Sequence, residues 1–100
     1  MRIVARSTLV RFSKEHPDAA AALDRWYEVA KAANWITTAD VQASFRTAKV
    51  LNAERVRFEV AGGSYRLIVA FDFGRSIAFV KFAGTHAEYD RVDALTIALF

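Results

Sequence analysis

Four polar side chains complement one another in chemical type. Arg66 and Lys81 are each set inside an otherwise apolar run, and His86 and Tyr89 stand three residues apart just beyond the second run. A guanidinium and an ammonium can hold an anion and neutralise charge that develops on it. An imidazole, with an ordinary pKa near 6.5, can take or give a proton around neutrality, whereas a phenol near 10 needs a cationic neighbour to act as a base. Together they form an acid, a base and a source of positive charge for an anionic substrate. Other chemistries find less support. No cysteine occurs, His16 stands before Pro17 at an expected helix end, and His86-x-Glu88 alone is a poor metal-ligand spacing. No G-x-S-x-G elbow supports serine-type catalysis.

The elements that must position these groups run from Arg55 to Asp90. In Arg55–Val60, Val56, Phe58 and Val60 alternate with Arg55, Arg57 and Glu59, the period of a strand with one wet face. Gly62-Gly63 supplies the positive φ angles of a tight turn, which predicts pairing of Val60 with Tyr65, Glu59 with Arg66, Phe58 with Leu67 and Arg57 with Ile68. If Gly74-Arg75 makes the next turn, Ile68 pairs with Lys81 and Arg66 with Ala83. One face then collects Val56, Phe58, Val60, Tyr65, Leu67, Val69, Phe71, Val80 and Phe82. The other collects Arg55, Arg57, Glu59, Arg66 and Lys81, a bare basic surface. Thr85-His86-Ala87-Glu88 has the capping-box pattern of a short terminal helix. The plain alternative is that these charges are only the solvated side of a half-exposed sheet.

Upstream, Arg2–Ala5 reads as a first strand, and Ser7 as the N-cap of a helix carrying Leu9 and Phe12 that ends at His16. A second helix opens at Pro17-Asp18 and runs to about Asn34, with Leu23, Trp26, Ala30 and Ala33 on one stripe. Thr37 to Asp40 resembles a capping box for a third, through about Phe45, and Lys49–Leu51 a short edge strand. These helices should cover the apolar face. The expectation is a single α+β domain over residues 1–100: an N-terminal strand and two to three helices on one face of a curved antiparallel sheet, with a short C-terminal helix.

Composition agrees with a folded domain, 54% hydrophobic and 25% charged. The absence of cysteine fits a reducing compartment. No secretory leader is evident at MRIVARSTLV, and no run reaches the roughly 18 to 20 apolar residues of a membrane span, so a cytoplasmic protein that does not enter membranes is expected. A net charge of +3 leans toward an anionic partner such as RNA.

The run Gly63-Ser64-Tyr65-Arg66-Leu67-Ile68-Val69, followed by Phe79-Val80-Lys81-Phe82 and by Gly84-Thr85-His86-Ala87-Glu88-Tyr89-Asp90, resembles the HigB toxin family within the RelE/ParE superfamily of type II toxin–antitoxin systems. The likeness extends over nearly the whole chain, with serine at 64 where members commonly have asparagine. The resemblance implies an mRNA interferase that cuts messages at the ribosomal decoding site without metal or other cofactor and is neutralised by a HigA-like helix-turn-helix antitoxin. It carries the catalytic set over to Arg66, Lys81, His86 and Tyr89, with Arg55, Arg57 and Arg75 as RNA-binding candidates. The chemistry would be attack by the RNA's own 2′-OH. A competing class on the same fold is a ParE-like gyrase inhibitor or other binding module without catalysis; the His86 and Tyr89 pair favours the nuclease.

Overall fold

The computed structural model describes all residues, Met1–Phe100. In chain order these are β1 (Arg2–Val4), α1 (Arg6–Glu15), a 3-10 turn at Pro17–Ala19, α2 (Ala20–Ala32), α3 (Thr38–Ser44), β2 (Lys49–Val50), β3 (Arg55–Val60), β4 (Tyr65–Asp72), β5 (Ile77–Thr85) and α4 (His86–Tyr89). The strands form one sheet in the order β1-β5-β4-β3-β2. The expected α+β architecture is present, antiparallel from β2 to β5, while β1 adds to β5 in parallel. A parallel neighbour needs a long connection, and here α1 to α3 and then β2 to β4 lie between β1 and β5.

Those helices lie on one face. Leu9, Phe12, Leu23, Trp26, Ala30 and Val41 meet Val56, Phe58, Val60, Leu67, Val69, Phe71 and Val80 in a single buried cluster. Trp26 and Phe45 set their rings edge-on to Phe58, at 5.5 and 5.3 Å between centroids, the arrangement that aromatic quadrupoles favour. One helix start and one helix end differ from expectation. The N-cap of α1 is Ala5, with no side-chain cap bond, in place of Ser7, because Ser7 already lies inside the helix. Helix α2 ends at Ala32, with extended backbone at Ala33, earlier than Asn34. The capping box at Thr37 and Asp40 is formed as read.

The β3–β4 register is the predicted one, Val60 opposite Tyr65 through Arg55 opposite Ala70. The β4–β5 register is as predicted from Asp72–Ile77 to Val69–Val80 and then slips by one. A β-bulge at Lys81 places Ile68 opposite Phe82, where Lys81 was expected, and Arg66 opposite Gly84 in place of Ala83. An extra unpaired residue reverses the alternation of everything beyond it. Phe82 is therefore displaced from the helix-covered face. It is 2% exposed yet absent from the main cluster, and it lies against Tyr89 of α4.

Candidate functional site

The bulge makes the second face of the sheet a different surface from the bare one expected. Ile68 and Phe82 are buried on it, and the C-terminal segment crosses it. Arg55 Nη1 donates to the carbonyls of Ala94 and Ile97 at 3.2 and 2.7 Å, and the Leu99 amide donates to Lys81 O at 2.9 Å. Gly84 explains how Phe82 fits. A Cβ there would stand 2.6 Å from Cζ of Phe82 and 3.3 Å from Cβ of Glu88, so only glycine lets the ring fold over the strand beneath α4.

At the edge of this apolar patch, near the β3–β4 turn, three charged side chains meet. The carboxylate oxygen Oε1 of Glu59 is 3.6 Å from Nη2 of Arg57 and 3.7 Å from Nη2 of Arg66. Arg66 Nη1 also donates to Gly63 O at 2.7 Å. The turn reaches that position through left-handed backbone at Gly63, φ +91°, a conformation glycine adopts freely. Arg66 was expected on a wet surface but is only 8% exposed. Its charge is tolerated there because a carboxylate and a carbonyl face it. The Nε atoms of both Arg57 and Arg66 are buried without a protein partner. Arg57 in turn lies over the Tyr89 ring, 5.7 Å from its centroid, a cation–π contact that couples α4 to the arginine pair.

The capping box predicted at Thr85 is present: the Thr85 amide donates to Oε1 of Glu88 and the Glu88 amide to Oγ1 of Thr85. The bond from the Thr85 amide is the main reason that the Glu88 carboxyl is held below the usual carboxylate range. This cap fixes the entry of α4, and the His86 amide adds a bond to Ser64 O at 3.3 Å, beside the Gly63 carbonyl that Arg66 holds. The His86 ring is exposed, with Nδ1 3.0 Å from Oδ2 of Asp90. A carboxylate at one ring nitrogen orients the imidazole and leaves Nε2 free for proton transfer.

Of the residues singled out from sequence, Arg66, Arg57 and Tyr89 are therefore brought together, with His86 one helical turn before Tyr89 at the rim. Lys81 stands apart at the bulge, its ammonium 5.4 Å from the Phe79 ring centroid. Arg55 is bound to the C-terminal segment. Arg75 lies in the β4–β5 turn at the opposite end of the sheet, 79% exposed and 3.6 Å from Asp72. Two members of the cluster were not recognised as such. Glu59 was legible only as one wet-face residue, although its predicted pairing with Arg66 pointed to the contact. Asp90, four residues after His86, carried the i, i+4 spacing of a helical ion pair. The broadest hollow, about 690 Å³ beside Ala53, Ala70, Asp72 and Phe79, lies away from the Arg57–Glu59–Arg66 cluster. No three His, Asp or Glu side chains are grouped as metal ligands.

On the helix-bearing side, Tyr65 gives its hydroxyl hydrogen bond to Asp18 at 2.7 Å, which raises the phenol above its ordinary pKa. Tyr65 is thereby removed from consideration as a base; Tyr27 lies on the helices under Arg6 and Lys31, and on the second face Tyr89 is the tyrosine that meets a cation.

A small α+β domain with one helix-covered sheet face, and with paired arginines beside a terminal helix on the other, is the class of protein that a family match identifies as a RelE-like toxin. The chain belongs to the HigB toxin family, RelE-like toxic components of toxin-antitoxin systems, whose model matches residues 19–92. It is also 28% identical over 95 residues, 92% of this chain and 91% of the relative, to the mRNA interferase HigB of Escherichia coli O6:H1 (strain CFT073).

Proposed function

We propose that this toxin is an mRNA endoribonuclease that stops translation by cutting messages at the ribosomal decoding site, and that a HigA-like helix-turn-helix antitoxin neutralises it. The observation that carries the reading is the pair Arg57 and Arg66 around Glu59, with Tyr89 on Arg57 and His86 at the rim. Family membership and the name of the E. coli relative support the same activity. In the proposed reaction the RNA 2′ oxygen attacks the adjacent phosphorus and its proton passes to Tyr89 or His86. The bond to the 5′ oxygen breaks as that oxygen takes a proton from His86, leaving a 2′,3′-cyclic phosphate and a 5′-OH. Arg66 and Arg57 hold the phosphate, and Lys81, farther along β5, adds positive charge. The nucleophile belongs to the RNA, so this route draws on no metal. A site with so few acid–base groups gains most when its substrate is already held with the 2′ oxygen in line, which the ribosome would provide.

Acting on translating ribosomes places the protein in the cytoplasm; no helix is long and apolar enough to cross a membrane. Induction in growing cells, with pulse labelling of protein and DNA and a primer-extension map of messages, tests the reading. Translation should stop first, with new 5′ ends inside coding regions. Replication stopping first over intact messages would replace this reading with a gyrase-directed or other non-catalytic toxin.

A further inference from the structure

We propose that residues 93–100 form a strap that closes the arginine row of the second face and has to release Arg55 before an RNA backbone can lie along β4. The proposal rests on the reading above, that RNA is what this face meets. The strap is organised locally by Asp93, whose carbonyl accepts from the Thr96 and Ile97 amides and whose Oδ1 accepts from the Leu95 amide. From that turn it reaches Arg55 through the Ala94 and Ile97 carbonyls and then the bulge through Leu99 N to Lys81 O. It thus spans the sheet from Arg55 on β3, opposite Ala70 on β4, to Lys81 on β5. The family match ends at residue 92, immediately before it.

Its hold is thin. Leu95, Leu99 and Phe100 are 51%, 58% and 44% exposed, and Ala94 and Ile97 are half-buried with no strap residue in the core, so lifting the strap gives up modest apolar burial. Helix α4 has its own capping box and Phe82 contact, and the strap comes near it only where Phe100 lines a small hollow beside Glu88. What the strap offers Arg55 is a pair of neutral carbonyls. A phosphate offers the same guanidinium an opposite charge and two oxygens in fork geometry, a stronger and bidentate contact. Phosphate and strap therefore compete for one side chain, and the bulge that exposes Lys81 O to Leu99 serves as the second latch.

The test uses a fluorescein-labelled 2′-O-methyl oligoribonucleotide, which lacks the attacking hydroxyl, at one fixed low salt concentration. It is titrated against the full chain, Leu99→Pro, which removes the amide that bonds Lys81 O, and a chain ended at Val92. Thermal melts establish that each is folded. Closure reduces apparent affinity by the fraction of molecules that are open, so both strap variants should bind at least about fivefold more tightly than the full chain. In the full chain, saturating oligonucleotide should speed hydrogen exchange at the Leu99 amide while β4 amides stay protected. If the full chain binds the oligonucleotide with Leu99 exchange unchanged or slowed, and Leu99→Pro binds no more tightly, the strap is not a gate and the nuclease reading stands. If no folded form binds the oligonucleotide, the gate falls, while the ribosome-dependent reading is decided by the message map described above. Should Leu99→Pro or the shortened chain fail to fold, exchange in the unaltered protein still decides.

Discussion

The two faces of the sheet are cut from the same three strands, yet they are closed by different means. Toward the helices, Val56, Phe58, Leu67, Val69 and Val80 sit under Trp26, Leu23 and Phe45 with no charged side chain among them. Toward the C-terminus, the alternate residues Arg57, Arg66, Ile68 and Phe82 are covered by one four-residue helix and an irregular tail, with Glu59 left exposed. Deep burial occurs on both, since Phe58 and Phe82 are each 2% exposed. Surrounding mass differs: Phe58 touches aromatic rings from two other elements and β4, while Phe82 meets the Tyr89 ring. The first face holds the fold, and the second fixes charge and a terminal helix in place with little material to spare. Burial alone therefore does not tell what a side chain is for.

Matched truncations offer the sharpest break of that contrast. Phe58→Ala should lose about 3–5 kcal/mol of stability, read from the urea midpoint at unchanged slope, because its cavity is walled by Trp26, Phe45 and Phe71. Phe82→Ala should lose distinctly less, since α4 can settle into the space, but should impair cutting by letting Tyr89 move. Equal stability losses would mean that the two faces are one core. Next in size, Arg66→Ala should slow message cleavage about 100- to 1,000-fold, about 2.7–4 kcal/mol at the transition state, measured against a circular-dichroism control for folding. Toxicity at equal expression would remove Arg66 from the site.

The distinction between the faces is partly legible in the sequence. Alternation in Arg55–Val60 and the Gly62-Gly63 turn sufficed for the β3–β4 register, since a two-residue period and a turn centre leave one pairing that buries Val56 and Phe58 together. Symmetry about Gly74-Arg75 was correct for half of the next hairpin. The bulge at Lys81 carries no local signal, because unpaired residues are dictated by what the strand must face later. Here that is Phe82 folding over Gly84 beneath α4. One missed residue is why Phe82 was assigned to the wrong face and why the arginine row looked bare. The apolar tail Leu95–Phe100 signals an antitoxin or self-contact, but the surface it crosses is not legible for a similar reason, its contacts being long-range bonds to backbone carbonyls, which every residue carries.

Smaller effects probe how α4 is set. Gly84→Ala should cost about 1–3 kcal/mol, since the added methyl meets Phe82 at 2.6 Å, and Phe82→Leu should relieve part of that loss. Melting the single and double variants together checks the coupling. Thr85→Ala should lose about 1 kcal/mol through the capping box. The linked pH effect has a definite sign. Glu88 is held below its unfolded value of about 4.3, so its contribution is present above that pH and is lost as pH falls through the lower folded value. Acid titration of stability should lose that part of its slope in Glu88→Gln, and an unchanged profile would show that the cap does not depend on the charge.

The most direct test of the claim that the second face is catalytic is the chemistry of the cut ends. Purified protein is given ribosome-bound message, and the products of the wild type, Arg66→Ala and Tyr89→Phe are analysed for their terminal groups. The account predicts 2′,3′-cyclic phosphate and 5′-OH ends from the wild type, and loss of at least about 100-fold in rate with Arg66→Ala. Ends bearing a 5′-phosphate, or cutting by Arg66→Ala at the wild-type rate, would contradict it.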